Sequence, residues 1–254
     1  MLIYDRDDIR IYATAIPPLP EGVPGARSVA ERAAVKRLVR EAFPGMGARV
    51  AHRESGAPYL EFEGDEGRSP SARSTRQPAG GLEGSALPRH GGEGEWALLG
   101  RDGPGADGGV SEEGLAVPKG ELTVPEVSIS HCRRLAVMAL AAAGRGIGID
   151  CECGNRAGQL RRVAPRFLSG EQRGVWDSSE AMLFWAWTIK EAAYKAAGGS
   201  VRLGEIPLPA EIPVGAATRD SEIVIGGRRY GVFQADSPDP AVIVMVVSEV
   251  EAAR

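Results

Sequence analysis

The sequence reads as an α+β protein, and three observations carry that reading. Short alternating or apolar runs with strand character stand near both ends of the 254-residue chain. Two stretches between them carry apolar residues at helical spacing. Strands and helices are interspersed with hairpin-length turns instead of following the strict alternation of a parallel sheet. The chain divides by composition into an N-terminal subdomain (1–63), a low-complexity insertion (64–120) and a C-terminal subdomain (121–254).

Residues 2–16 hold Ile3, Ile9, Ile11 and Tyr12, which predicts one or two strands ending at PPLP (17–20). A helix is expected from Ser28, a good N-cap, to Phe43, with Val29, Ala33, Val35, Leu38, Val39 and Phe43 as its apolar stripe. Two short strands, 48–52 and 58–62, flank the turn Glu54-Ser55-Gly56. From Gly64 to Gly120 the character changes: fifteen of the chain's 34 glycines fall there, with one short apolar patch from Trp96 to Leu99. Such a segment buries too little surface to offset the entropy of ordering it, so it is expected to be mostly disordered and outside the chemistry.

Val127 to Ile129 predicts a strand leading into Ser130-His131-Cys132. Leu135 to Ala143 is ambiguous, its alanines favouring helix while Val137 and the following GRG suit a hairpin arm. Residues 146–152 are strand-like. SGEQ (169–172) reads as a capping box opening a short helix, and DSSE (177–180) as another, opening a long helix to about Ala197 that Gly198-Gly199 closes. Strands at 221–225, 229–234 and 241–248 finish the chain, the last apolar enough for a sheet centre.

The formal net charge of −4 excludes the whole-molecule basic field of a nucleic-acid binder, so any anionic ligand must meet a local cluster. Three cysteines, Cys132, Cys151 and Cys153, cannot all pair, which argues against a disulfide framework and for a reducing compartment. The first residues lack the basic and apolar regions of a signal peptide, and no apolar run approaches the roughly 18 residues that span a bilayer. A cytoplasmic protein without membrane partner is expected.

Three groups of residues could carry chemistry. On a strand over GIDCE (148–152), Asp150 and Glu152 share one face, their Cα atoms roughly 6–7 Å apart, and Ile147, Ile149, Cys151 and Cys153 share the other. Paired hard carboxylates suit magnesium, which accepts a few carboxylate oxygens and keeps positions for water or phosphate; a solvated strand face is the plainer alternative. On the long helix, Glu191 and Lys195 are i and i+4 with Lys190 beside them, either a surface ion pair or a buried charged group among Phe184, Trp185, Trp187 and Tyr194. Ser130, His131, Arg133 and Arg134 could hold a phosphate, or form only a polar turn. A zinc site from His131 and the cysteines is disfavoured by the tight C-x-C spacing and by thiols directed to the core face; buried cysteines packing as small hydrophobes fit better.

Taken in order, SISHC (128–132), GIGIDCE (146–152) and FWAWTIKEAAYK (184–195) resemble the signature of the 4′-phosphopantetheinyl transferase superfamily, whose pattern is a Ser-His turn, a G-[IV]-D-x-E strand and a W-[ST]-x-K-E-x-x-x-K helix. GAP (56–58) resembles its G-K-P element, with Ala57 in place of the lysine, and Cys132 stands where a second hydroxyl is frequent. Length and motif position resemble the larger monomeric, surfactin-synthetase-activating type, which implies two similar α+β halves about a pseudo-twofold with coenzyme A between them. The resemblance implies that Asp150, Glu152 and Glu191 hold Mg²⁺ and that Glu191 also serves as general base. It further implies that Lys190 and Lys195 neutralise the phosphates and that Ser130 and His131 contact coenzyme A. Lys36, Arg40 and Arg53 are N-terminal candidates for its 3′-phosphate by charge alone. The implied activity is transfer of phosphopantetheine from coenzyme A to a serine of an acyl or peptidyl carrier protein, releasing 3′,5′-ADP. A non-catalytic module gripping coenzyme A or a carrier, and a magnesium-dependent pyrophosphate hydrolase, are the rival readings.

Overall fold

A computed structural model describes residues 1–6, 8–18, 24–63, 124–154, 156–212 and 221–250. The insertion 64–120 lies outside the described residues. Strands β1 (Leu2–Arg6) and β2 (Ile9–Ala15) form a hairpin, followed by helix α1 (Ala26–Ala42) and the small hairpin β3 (Arg49–His52) and β4 (Pro58–Glu61). Then come β5 (Glu126–His131), β6 (Leu135–Ala141) and β7 (Ile147–Cys153), helices α2 (Ala157–Phe167) and α3 (Glu180–Ala196), a 3₁₀ turn Leu203–Glu205, and β8 (Ser221–Ile225), β9 (Arg228–Gln234) and β10 (Val242–Glu249). The fold is α+β, with every strand pairing antiparallel.

Two four-stranded sheets, ordered β1-β2-β6-β5 and β7-β10-β9-β8, provide the framework. Alternation along the strands sorts their side chains into layers. Ile9, Ile11 and Ala13 of β2 and Leu135, Val137 and Ala139 of β6 pack against Ile147 and Ile149 of β7 and Val242, Val244 and Val246 of β10. The other face of β6 (Ala136, Met138, Leu140) packs with Leu38 and Val39 of α1, and Met245 and Val247 of β10 pack with Leu183, Ile189 and Ala193 of α3. Every residue of β6 is therefore buried, which explains why Leu135–Ala141 has no amphipathic period: both faces are covered. Its residues form the hairpin arm, not a helix. The last strand, β10, stands inside its sheet between β7 and β9.

Several details differ from the sequence expectations. β5 and β6 follow the insertion but pair into the sheet begun by β1 and β2, with Ile9–Ala15 in register with Leu135–Ala141. The division between the two sheets thus falls between Ala141 and Ile147. Helix α1 begins before Ser28: its N-cap is Gly25, in the left-handed region at φ 76°, which a glycine tolerates without strain. Ser179, not Asp177, caps α3, accepting from the Met182 N–H at 3.2 Å, while Asp177 accepts from Gly174. Ser169 and Gln172 make half of a capping box, Ser169 N–H donating to Gln172 Oε1 at 3.1 Å, but a chain of turns follows instead of a helix. The helix lies earlier, at α2. Its buried stripe Leu160, Ala164, Phe167 has helical spacing, and Pro165 within the last turn masks it, since proline usually marks a helix end.

Candidate active site

The site begins where two sheet edges meet. β5 and β7 are each the outer strand of a sheet, and two serine hydroxyls of β5 reach across to backbone N–H groups of β7 that have no ladder partner. Ile149 N–H donates to Ser128 Oγ at 3.0 Å, and Cys151 N–H to Ser130 Oγ at 3.4 Å. All of these groups are buried, so the hydroxyls answer the cost of leaving backbone donors unpaired. Ser130 then donates its own proton to Asp150 Oδ1 at 2.7 Å. Its hydroxyl is committed to orienting Asp150.

On the other side of β7, helix α3 lies against the strand. Gly148 permits this: a Cβ there would stand 1.8 Å from the Ala192 carbonyl oxygen, and one at Gly146 would stand 2.7 Å from that of Ala196. With the backbones this close, the next residues along β7 on the same face, Asp150 and Glu152, meet the Glu191–Lys195 face of α3. They are not a solvated strand face: Asp150 is 7% and Glu152 4% exposed. Lys195 Nζ donates to Asp150 Oδ1 at 2.8 Å and to the Ile149 carbonyl at 3.0 Å. Arg156, immediately before α2, donates to Glu152 Oε2 at 3.0 Å.

Glu191 is half-buried, and among the described residues it makes no hydrogen bond or ion pair. Burial first and the Asp150 charge second push its carboxyl above the ordinary range, with Glu152 adding to the shift against Lys195 and Arg156. Burial likewise raises Glu152, opposed by Arg156. For Lys195, burial alone would pull the ammonium down, but the Asp150 charge and hydrogen bond, with Glu191, hold it above its ordinary value. The three acids therefore sense one another electrostatically with fewer cations than anions at close range.

Lys190 is not part of this group. It is fully buried, and its Nζ donates to the carbonyls of Leu203 at 2.8 Å and Ile206 at 2.6 Å. Burial lowers its pKa to about 8. Adjacent residues on a helix project about 100° apart, so Lys190 faces the 203–206 turn while Glu191 faces β7; its expected contact with phosphate gives way to a tether between α3 and that turn. Of the aromatic residues noted around it, Phe184, Trp185 and Trp187 pack into the core, Trp187 edge-on to Phe167 of α2 at 5.0 Å, while Tyr194 is exposed.

Beside Glu152 opens a cavity of about 320 Å³ lined by Arg27, His131, Cys132, Arg133, Glu152, Cys153, Arg156 and Gln159. His131, at the end of β5, holds Nδ1 3.6 Å from Glu31 Oε1, which also pairs with Arg27 at 2.7 Å. Arg134 turns away to Asp239. Among the N-terminal cations, Arg27 lines this cavity, whereas Lys36 and Arg40 are exposed elsewhere on α1 and Arg53 lies 3.8 Å from Glu126. Sequence reasoning missed Arg27 and Arg156. Arg156 follows Glu152 by four residues, but the interval crosses from strand to helix, so no periodicity reveals it. A larger cleft of about 610 Å³, around Thr14, Leu135 and Pro238, has no acid pair or candidate residue beyond the Arg134–Asp239 bridge. Volume does not mark the chemistry here.

Residues 146–221 match the family model of the 4′-phosphopantetheinyl transferase superfamily. The match spans β7, α2 and α3, the elements that carry Asp150, Glu152, Glu191 and Lys195, and it supports a role in phosphopantetheinyl transfer. Ser130 and His131 lie before it. No curated protein matches the chain, and no described helix is long and apolar enough to cross a membrane.

The superfamily match raises the question of a divalent cation. Among the described residues, no three His, Cys, Asp or Glu side chains are already gathered tightly enough to ligate one ion; Asp150 leans to Lys195 and Ser130, and Glu152 to Arg156. The donor chemistry nevertheless fits magnesium. All three groups offer hard carboxylate oxygens, and Glu191 makes no hydrogen bond or ion pair among the described residues while burial first and the Asp150 charge second raise its pKa. A cation would relieve that repulsion.

Proposed function

We propose that this protein transfers the 4′-phosphopantetheine group of coenzyme A to a serine of an acyl or peptidyl carrier protein, releasing 3′,5′-ADP, with Mg²⁺ as cofactor. The observation that carries the reading is Glu191, without a hydrogen bond or ion pair among the described residues, facing the Asp150–Glu152 pair within the segment that matches the superfamily. Asp150, Glu152 and Glu191 would hold the ion, which supplies charge neutralisation to the pyrophosphate of coenzyme A.

The chain's own groups have distinct tasks. Glu191, free of hydrogen bonds among the described residues and facing the strand pair, would accept the proton of the carrier serine. Lys195, kept protonated beside Asp150, carries the charge that develops on the leaving phosphate. Ser130 fixes Asp150 in place. The cavity beside Glu152, with Arg27, His131, Arg133 and Arg156 on its wall, suits the remaining phosphates of coenzyme A. Transfer of this kind asks positioning and charge of the protein more than covalent chemistry.

Outward from the cavity, α2 shows Arg161, Arg162 and Arg166 to solvent, without ion pairs among the described residues. Residues 156–173 hold five arginines against one acid, Glu171, in a chain of net charge −4. That face complements a small acidic carrier, and a monomer acting in the cytoplasm accords with such a substrate. Incubation with coenzyme A, Mg²⁺ and a panel of apo-carriers, followed by weighing the carriers, tests the proposal. Gain of one phosphopantetheine mass is expected; no gain on any carrier sinks it.

A further inference from the structure

The chain's three cysteines are buried, none is in a disulfide, and all three lie beside the site. Cys151 and Cys153 lie two apart on β7 and share the face that packs toward β6. Cys132 begins the turn between β5 and β6. The Leu135 carbonyl is their common point: it accepts from the Cys132 N–H at 2.9 Å and lies 3.8 Å from Cys151 Sγ. Cys132, Cys151 and Cys153 belong to one buried cluster, in which the Leu135 carbonyl brings the Cys132 backbone and the Cys151 thiol together. Cys132 and Cys153 also line the 320 Å³ cavity, so the cluster has a route to solvent. Cysteines serving only as small hydrophobes need neither a shared carbonyl between a turn and a strand nor such a route.

We propose that this cluster is an oxidation site, at which a peroxide entering the cavity joins Cys132 and Cys151 in a disulfide between the β5–β6 turn and β7. The Cys132 sulfur attacks the peroxide O–O bond, giving a sulfenic acid and water. The Cys151 sulfur then displaces the sulfenic hydroxyl, which leaves with the second thiol proton as water. Two thiols lose two electrons and two protons, and hydrogen peroxide becomes two waters. The new bond, at roughly 2.05 Å, is far shorter than any contact between separate thiols, so the end of β5 must shift toward β7. That end carries Ser130 and His131, and Cys151 stands between Asp150 and Glu152. The consequence for activity rests on the proposed transferase reading, and the bond itself does not.

The full-length protein treated with hydrogen peroxide, alkylated and mapped by peptide mass spectrometry provides the test. A linked Cys132–Cys151 peptide pair is expected, with two of three thiols lost to alkylation and recovered by dithiothreitol. In Cys151→Ala the linked pair is absent and Cys132 is trapped as its sulfenic acid. Transfer by the oxidised wild type falls by about tenfold or more and returns on reduction, as displaced catalytic groups dictate. Three free thiols after exposure that oxidises glutathione, an oxidised Cys132 without a cross-link, or a link to Cys153 would each overturn the assignment. A cross-linked protein with no transfer activity in either state would leave this inference standing and remove the transferase reading instead.

Discussion

A Cβ on Gly148 would lie 1.8 Å from the carbonyl oxygen of Ala192, so β7 and α3 touch backbone to backbone one residue from Glu191. That contact fixes the depth of the helix and hence the distance from the helical acid to the strand pair. Because the obstructing atom is backbone, a side chain at 148 cannot be absorbed by a rotamer change. Gly148→Ala should destabilise the fold by about 3 kcal/mol or more, at the upper end of overpacking costs. Urea unfolding measures it, and a loss below about 1 kcal/mol would contradict the close approach.

Glu191→Gln separates chemistry from folding. The substitution keeps the shape, removes a carboxyl whose ionised form burial first and the Asp150 charge second disfavour, and breaks no hydrogen bond among the described residues. Stability should hold or rise slightly, while kcat for carrier modification drops by about 10² to 10⁴, the usual range for a lost general base. Retained turnover removes Glu191 from its assigned role.

The pH dependence follows from Glu152 and Glu191 together. Both have folded pKa values raised above the unfolded ones, so their contribution to stability is present below the unfolded carboxyl value of about 4.3 and is lost as pH rises through the raised values. Without Mg²⁺, the melting temperature of the wild type should fall relative to Glu191→Gln as pH rises from about 5 toward 8. Added Mg²⁺ binds the ionised carboxylates and should restore wild-type stability at the upper end but not at the lower, by about 2.7 kcal/mol at a hundredfold excess over Kd. Thermal melts of both proteins with Mg²⁺ or EDTA decide it. An equal Mg²⁺ effect on both proteins would mean the ion binds elsewhere.

Much of this site was legible in the sequence because two simple periods govern it. Alternation put Asp150 and Glu152 on one face of β7, and the i, i+4 spacing put Glu191 and Lys195 on one face of α3. What the periods lack is the third dimension. Lys190 sits next to Glu191 in sequence but points to Leu203 and Ile206, and only the packing of the 203–206 turn decides that. Arg156 reaches Glu152 across a change of secondary structure. Ser130, expected to face phosphate, instead answers an edge strand's open N–H and the Asp150 carboxylate. Sheet membership was also hidden, since β6 pairs with β2 across more than a hundred residues.

The two lysines of α3 should behave differently. Lys190→Met removes a buried cation, while Leu203 O still accepts from the Ile206 N–H and Ile206 O from Gln172 Nε2. Its cost should stay within about 2 kcal/mol, with coenzyme A binding intact, because a buried charge is readily exchanged for an apolar chain of similar volume. Lys195→Met leaves Asp150 buried without its cation, which costs about 3–5 kcal/mol where a buried pair is broken from one side, and it should abolish transfer. Isothermal titration with coenzyme A and urea unfolding on both variants compare them. Similar losses from the two would put Lys190 at the site.

In the proposed reaction the exposed arginines of α2 serve carrier recognition and nothing else in the mechanism. Arg162 and Arg166 are i and i+4, on the face opposite the buried Leu160, Ala164 and Phe167. Reversing both, Arg162→Glu with Arg166→Glu, touches no buried group and no residue of the cavity wall. An acidic partner should then lose long-range attraction and meet repulsion: KM for the carrier rises by tenfold or more, about 1.4 kcal/mol or above, while kcat at saturating carrier and affinity for coenzyme A stay unchanged. The wild-type KM should also rise with salt, and that of the reversed variant should rise less, since screening weakens attraction and repulsion alike. Stopped-time transfer assays at low and high ionic strength measure both effects. A variant with wild-type KM and salt response would show that the carrier docks on another face.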